Sequence, residues 1–354
     1  MKQKSLVAII SVVFIILLVA VSRTSVPGKR PLATPAAKRP YQILGFYEKG
    51  WNPMNYGLVS LKSDHTFLDF VSPFWYSVTT DGNVKTNSEV FDQQALDFLR
   101  GQRRIKIVPL FNNEKTTGVP PGYANPSTRA AAIKNIVRIV EKQKYDGANI
   151  DFQLVPPETR NQLTAFIADL SKELKARGKS LSMDVFPKVD VPVEMTGVYD
   201  YAALGKYVDF LTVMTYDRHS EGSTPGPVAP IGWVEKNIQY AVSKVPSKKV
   251  MLCVAAYGYD WPAGGGKAMS MGVREIKDLI VRTGAKVQWD NTNQVPFFRY
   301  TDKNGVAHQV WFENGDSVAK KVALVKKYKL KGIALWRLGY DDPTYWRKVL
   351  AAFK

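Results

Sequence analysis

Polar side chains alternate with apolar ones in one short stretch of the chain, DGANIDFQ at residues 146–153. Side chains two residues apart in a β-strand share a face, so Asn149, Asp151 and Gln153 are predicted to point the same way. Of the three, only Asp151 can exchange a proton, because an amide donates hydrogen bonds but delivers no proton at an accessible pH. Such groups on an inward face are costly unless they are paired or functional. The stretch therefore predicts a functional site, and the alternative is a satisfied polar network without a ligand.

Short apolar runs separated by amphipathic segments predict the elements that position these residues. The predicted strands are residues 42–46, 67–71, 105–110, 148–152, 181–186, 210–214, 250–256 and 332–336. Helical spacing of apolar residues marks 129–143 and 157–177 between them. Eight strands with intervening helices predict an α/β fold, a (β/α)8 TIM barrel. An open doubly wound sheet is the competitor, but no glycine-rich phosphate loop follows the first predicted strand.

The sequence pattern changes between the seventh and eighth predicted strands. Residues 287–289, 296–300 and 309–312 are aromatic and β-prone, and 302–305 read as a hairpin turn. We predict a small antiparallel β insertion at the barrel rim, at about residues 285–313. Its aromatic side chains would form a satellite core or one wall of a groove.

The N-terminus differs from the rest of the chain in composition. Lys2 and Lys4 precede an apolar run at residues 6–21, which predicts a signal-anchor or signal peptide at 1–22. Residues 23–40 are rich in Pro, Lys and Arg and are predicted to be a linker. The barrel is assigned to 41–354. We expect an extracytoplasmic domain, anchored in the membrane by this N-terminal hydrophobic segment or secreted to the cell envelope.

The formal net charge of +18 favours polyanionic partners such as nucleic acid, anionic lipid or an acidic wall polymer. No nucleic-acid motif accompanies the dispersed basic residues, so no nucleic acid is expected as a partner.

The single cysteine, Cys253, excludes an internal disulfide and lies in an apolar run typical of a buried core. Three separated histidines, His65, His219 and His308, predict no metal site, and no cofactor is expected.

The stretch 146–153 resembles the signature Asp-x-x-Asp-x-Asp-x-Glu of glycoside hydrolase family 18, which lies at the end of the fourth barrel strand. Asn149 replaces the middle Asp of this signature, and in this the chain resembles the family branch that contains spore-germination and spore-cortex-lytic glucosaminidases. Other segments share the family pattern in order: 214–219, 225–229, 232–234, 256–261, 296–300 and 335–339. The resemblance covers most of residues 41–354.

The resemblance implies a retaining, substrate-assisted glycosidase site for a polymer of N-acetylglucosamine (GlcNAc), such as peptidoglycan or chitin. In such a site Asp151 would orient the acetamido group of the sugar and offset positive charge on the intermediate. Tyr216 would donate a hydrogen bond to the acetamido oxygen, and Trp336 would form the floor under the sugar. Asp146 and Asn149 would support Asp151 from behind.

Three further residues complete the set of substrate-binding candidates. Asp217 ends the same strand as Tyr216 and is expected to line the site. Tyr47 and Trp75 follow the first and second predicted strands, so we expect them to stack on sugar rings. Core or rim packing is the alternative for each of these two aromatic side chains.

Gln153 departs from the family pattern, because the last signature position carries the acid that protonates the glycosidic oxygen. Loss of a general acid removes about 10²–10⁴-fold in rate, whereas Gln preserves volume and hydrogen bonding. We therefore expect a domain that binds the polymer and hydrolyses it slowly or not at all. An active enzyme with another acid, Glu48 or less readily Glu158, is one alternative. An envelope scaffold that binds a protein partner is the other.

Overall fold

The computed structural model describes residues 39–49, 56–114 and 118–354. Residues 40–354 form one compact unit. The predicted signal segment at 1–22 and nearly all of the predicted linker at 23–40 lie outside the described residues. No helix in the described ranges has the length and apolar character needed to cross a membrane.

The main sheet closes on itself as a parallel barrel. Its first strand pairs in parallel with both the second and the last strand, and neighbours in sequence are neighbours in space. The strands of this sheet are β1 Gln42–Tyr47, β2 Phe70–Val78, β3 Val84–Thr86, β4 Lys106–Ile107, β5 Leu110–Asn113, β6 Gly147–Asp151, β7 Ser180–Val185, β8 Phe210–Met214, β9 Val250–Ala255 and β15 Gly332–Trp336. β3 is an antiparallel addition to β2, and β4 and β5 share the third barrel position. The predicted TIM barrel is confirmed.

Helices cover the outside of the barrel between successive strands. They are α1 Tyr56–Asp64, α2 Gln93–Arg100, α3 Pro126–Lys142, α4 Arg160–Lys175, α5 Val193–Thr196, α6 Tyr201–Tyr207, α7 Ile231–Lys244, α8 Val273–Thr283, α9 Gly315–Lys327 and α10 Pro343–Phe353. In α3, the Asn125 side chain caps the first turn and Pro126 occupies a position where no donor is needed. The predicted apolar stripe of α4, from Leu163 to Leu174, is buried against the sheet.

Alternation along the strands separates two apolar layers. One lies inside the barrel and includes Leu44, Phe46, Phe70 and Cys253. The other fills the space between the strands and the helices. Cys253 is buried and free, as its apolar run predicts.

A second, antiparallel sheet is inserted between β9 and β15. Its strands are β10 Tyr257–Pro262, β11 Met269–Gly272, β12 Gln288–Asp290, β13 Val295–Thr301 and β14 Ala307–Phe312, in the order β11-β10-β14-β13-β12. The predicted insertion at about residues 285–313 covers only its last three strands. Its start was placed too late because β10 follows β9 after a single residue, so the two apolar runs merge in the sequence.

Candidate active site

The predicted chemical stretch forms β6, the fourth barrel position, and the two residues that follow it. Asp151 is the last residue of β6 and is 6% exposed. The Gln153 side-chain amide donates to both carboxylate oxygens of Asp151, at 2.7 and 2.9 Å. Asn113, at the end of β5, accepts from the Gln153 backbone N–H and donates to the Gln153 carbonyl, both at 2.9 Å. This clamp fixes the backbone at Gln153 and so directs its amide towards Asp151.

A buried polar layer lies beneath Asp151 inside the barrel. Asn149 donates to the Asp184 carboxyl at 2.6 Å and accepts from the Ser182 hydroxyl at 2.6 Å. Asn149 and Asp184 are 0% and 2% exposed, so both are buried, and only Asp184 borders the cavity described below. The predicted support of Asp151 by Asn149 is not a direct hydrogen bond, because the Asn149 amide hydrogen-bonds Asp184 instead.

Burial controls the protonation of the two aspartates. Desolvation raises the pKa of Asp151 to about 6, and the hydrogen bond from Gln153 opposes this rise. The pKa of Asp184 is also raised by desolvation and by the nearby charge of Asp151. Because like charges at short range disfavour double ionisation, the charge of Asp151 opposes ionisation of Asp184. The two hydrogen bonds from the Gln153 amide favour the ionised form of Asp151.

The opposite wall of the site follows β8 and the start of the inserted sheet. Tyr216 is half-buried and its ring contacts that of Tyr257 edge-on, at a centroid distance of 6.0 Å. The Asp217 carboxylate accepts from the hydroxyls of Tyr257 and Tyr259, at 2.6 and 2.9 Å. The Asp217 residue as a whole is exposed, but the rings of Tyr257 and Tyr259 cover its carboxyl group. The resulting desolvation raises the pKa of that carboxyl group.

Trp336, the last residue of β15, lies across the barrel mouth. Its ring contacts Phe46 at 5.5 Å and Phe74 at 6.3 Å between centroids. It borders a cavity of about 220 Å³ at the carboxyl end of the strands. The residues lining this cavity, which we call the sugar cavity, are Phe46, Asp151, Gln153, Asp184, Phe186, Met214, Tyr216, Asp217, Tyr257 and Trp336. The structure thus brings together five sequence candidates, Asp151, Gln153, Tyr216, Asp217 and Trp336.

Tyr47 and Trp75 do not reach this cavity, and their prediction as sugar-stacking residues is wrong. Both are 0% exposed and belong to the layer between strands and helices. Tyr47 shares the outward parity of Ile43 along β1, and its hydroxyl donates to Asp92. Trp75 lies inside β2, which extends to Val78, well beyond the predicted end at residue 71.

Asp146 also lies away from the cavity, contrary to its predicted supporting role. It precedes β6 at the amino end of the strand and is exposed. Its carboxylate accepts from the backbone N–H of Ile107 at 2.8 Å. Since successive residues of a strand are spaced by about 3.3 Å, the four residues between Asp146 and Asp151 place them at opposite ends of the barrel.

The two glutamates considered as replacement acids are both outside the sugar cavity lining. Glu48 pairs with Arg337, its carboxylate 3.0 Å from Nε. Glu158 lies in a short 3-10 helix, Pro157–Thr159, and is exposed.

Sequence reasoning missed Asp184 and Tyr257. The signal for Asp184 was available, because Ser182 and Asp184 alternate with apolar residues in β7 as Asn149 and Asp151 do in β6. Tyr257 could not be placed from its sequence neighbours, because it reaches Asp217 only through the fold of the inserted sheet.

A closed parallel barrel with a buried carboxylate, two tyrosines and a tryptophan at its carboxyl end has its candidate site where enzymes of this fold carry theirs. Residues 48–341 match glycosyl hydrolases family 18, and the chain belongs to that family.

Three similar proteins come from bacteria. A protein of Bacillus subtilis (strain 168) named "Putative sporulation-specific glycosylase YdhD" is 32% identical over 276 residues, which are 76% of this chain and 65% of the relative. This chain thus spans just under two thirds of that relative's length. The spore cortex-lytic enzyme SleL of Bacillus megaterium QM B1551 is 28% identical, with a TM-score of 0.80 over 91% of this chain and 76% of SleL. A chitinase from Chromobacterium violaceum ATCC 12472 is 30% identical, with a TM-score of 0.80 over 88% of this chain and 98% of the chitinase.

Proposed function

We propose that the chain binds a GlcNAc-containing polysaccharide of the cell envelope in the sugar cavity and hydrolyses it slowly or not at all. Peptidoglycan, including that of the spore cortex, is the favoured polymer, and a chitin-like polymer is the second. The family membership and the names of the cortex-lytic and chitinase relatives support the substrate class.

The sugar cavity has the parts that such a ligand requires. Trp336 offers an aromatic face to the apolar side of a pyranose ring. Asp151, ionised through its pairing with Gln153, is suited to orient the acetamido N–H and to offset positive charge beside it. The Tyr216 hydroxyl is available from the facing strand to donate to the acetamido oxygen.

Gln153 is the observation that carries the loss of hydrolysis. It lies in the cavity at the last position of the signature, where the family places a glutamic acid. Its amide is already committed to Asp151 at 2.7 Å and carries no transferable proton. The other carboxyl groups lining the cavity are Asp184, which is buried behind Asp151, and Asp217.

Restoring the carboxyl group tests this proposal. Gln153→Glu is expected to raise the release of reducing ends from peptidoglycan by about 100-fold or more, the usual contribution of a general acid. Gln153→Glu combined with Asp151→Ala is the matched control and should stay inactive. Wild type that turns over as fast as Gln153→Glu would contradict the proposal.

An active wild-type enzyme is the second candidate, and Asp217 is the observation that favours it. Its carboxyl group is in the cavity and has a raised pKa, so it is a better replacement acid than Glu48 or Glu158. Loss of wild-type turnover in Asp217→Asn, with polymer binding retained, would support this candidate. If no polysaccharide binds at all, the scaffold alternative with a protein partner becomes the better account.

We also propose that the domain acts on the extracytoplasmic side, held at the membrane or released by the segment at residues 1–22. The sequence of that segment supports this, and fractionation of expressing cells tests it: a domain confined to the cytoplasm would contradict it.

A further inference from the structure

A second cavity, of about 180 Å³, opens at the same end of the barrel. Three cationic side chains and two tyrosines line it, Lys49, Arg274, Arg337, Tyr56 and Tyr340, and we call it the basic cleft. Its walls come from the segment after β1, from the start of α8 and from the segment after β15.

The basic cleft adjoins the sugar cavity through two pairs of residues. Arg337 directly follows Trp336, the floor of the sugar cavity. The Tyr340 ring contacts the Tyr257 ring edge-on at a centroid distance of 6.1 Å, and Tyr257 lines the sugar cavity. The lining residues of the two cavities are therefore in direct contact or consecutive in the chain.

The two arginines of the cleft are held in place from behind. Arg337 pairs with Glu48 at 3.0 Å and lies 4.0 Å from the Tyr340 ring centroid. Arg274 donates through Nε to the Asp341 carbonyl at 2.9 Å, and its guanidinium lies 5.5 Å from the Tyr56 ring centroid. A positioned guanidinium loses little freedom when it binds an anion, so these contacts favour anion binding.

The charge in the cleft is not neutralised by its own lining. Glu275 is the one carboxylate among the lining residues, and it accepts from the Gly272 backbone N–H at 2.8 Å. Lys49 is exposed, and neither it nor Arg274 forms an ion pair with a described carboxylate. Two positive charges are thus available beside the sugar cavity.

We infer that the basic cleft binds a free lactyl carboxylate on the sugar next to the one over Trp336, and thereby selects peptidoglycan strands without stem peptides over chitin. This inference rests on the proposed function. In peptidoglycan each GlcNAc is followed by a sugar with a lactyl ether, whose carboxyl group is ionised where no stem peptide is amide-linked to it, whereas chitin is uncharged. Lys49 and Arg274 are the residues that would bind this carboxylate.

Calorimetric titration of the wild-type protein tests the inference with three ligands. They are chitotetraose, the peptide-free peptidoglycan tetrasaccharide, and that tetrasaccharide with its lactyl carboxylates methylated. The free carboxylate ligand should bind about tenfold more tightly than the other two, the range of a charge-assisted contact at a partly exposed site. Adding the peptide-bearing tetrasaccharide separates the lactyl carboxylate from those of the stem peptide.

Lys49→Gln should reduce the preference for the carboxylate ligand about threefold or more, and Arg274→Gln should reduce it further. Affinity for chitotetraose should stay unchanged in both. Lys320→Gln, which removes one exposed charge from the outer helix α9, is the matched control and should keep the preference. Since Lys49 is exposed, its variant remains informative even if Arg274→Gln folds poorly.

Three failures are distinguishable. Equal affinity of wild type for all three ligands would overturn the inference about the basic cleft and leave the sugar cavity standing. Absence of binding to every ligand would overturn the proposed function itself. Tighter binding only with the stem peptide present would assign the anion to the peptide and overturn the lactyl assignment.

Discussion

Asp151 and Gln153 form a hydrogen-bonded unit whose charge depends on which side chain stands at residue 153. With Gln, two N–H···O contacts favour the ionised Asp151, although burial raises its pKa to about 6. With Glu, two carboxyl groups would meet at the same distance and share a proton, because both cannot ionise at short range. The side chain at residue 153 therefore sets the charge of this hydrogen-bonded unit.

The pH profile of Gln153→Glu follows from this sharing. Its turnover needs the shared proton, so we expect turnover to fall as pH rises through the raised pKa of the pair. The decline should be about tenfold per pH unit on the alkaline side, since one proton is lost. Initial rates measured between pH 4 and 9 check this. A rate that rises throughout this range would contradict the assignment of residue 153 as the acid position.

Contacts between elements also depend on a shared proton, at the junction of α1 with the segment after β15. The side chain of Asp64, the last residue of α1, hydrogen-bonds that of Asp341, and desolvation and this neighbour raise the pKa of Asp64 to about 8. Asp341 in turn accepts from the Gly339 N–H at 2.7 Å and from the Trp346 indole at 2.7 Å. The junction also lies near Arg274 of the basic cleft.

Stability should therefore decrease with pH at this junction. The folded state keeps a proton that an unfolded aspartate, with a pKa near 3.8, has already released. The free energy of unfolding falls as pH rises from about 4 to about 8, and the loss is complete above that range. Asp64→Asn should flatten this dependence, because Asn donates to Asp341 at every pH.

Thermal unfolding at pH 5, 7 and 9 measures the effect. Between pH 5 and 9, Tm should fall less in Asp64→Asn than in wild type. The difference should be about 2–4 °C for each kcal/mol of unfolding free energy that the variant keeps at pH 9. Asp81→Asn is the control, because its carboxylate is exposed and has a lowered pKa, so its charge does not change in this range. Parallel Tm profiles for wild type and Asp64→Asn would refute the shared proton.

The whole molecule carries a formal net charge of +18, which acts on any polyanionic polymer. Long-range attraction between exposed charges is screened by salt, whereas stacking on Trp336 and hydrogen bonds in the sugar cavity are not. Binding to anionic peptidoglycan and binding to neutral chitin should therefore respond differently to ionic strength.

Co-sedimentation with insoluble polymer tests this difference. Raising NaCl from about 0.05 to 0.5 M should weaken binding to peptidoglycan by about tenfold or more and leave binding to chitin nearly unchanged. Trp336→Ala should weaken binding to both polymers at either salt concentration. Equal salt dependence for the two polymers would show that net charge plays no part in selection.

The sequence by itself determined the barrel and the polar end of its fourth strand. Eight apolar runs separated by helices predict a parallel sheet closed as a barrel, and parity along β6 puts Asn149 and Asp151 on the inward face. The same parity argument, applied to β1, would have kept Tyr47 out of the cavity. These properties are local, so residues two to four apart are enough to reveal them.

The tertiary structure decided which residues meet. Asp184 reaches Asn149, and Tyr257 reaches Asp217, across 35 and 40 positions of the chain. The basic cleft joins residues that follow the first and the last barrel strand in the chain, because closing the sheet puts β1 beside β15. Such contacts depend on how the strands pair and on where the inserted sheet folds back. Neither can be predicted from the spacing of residues within one segment.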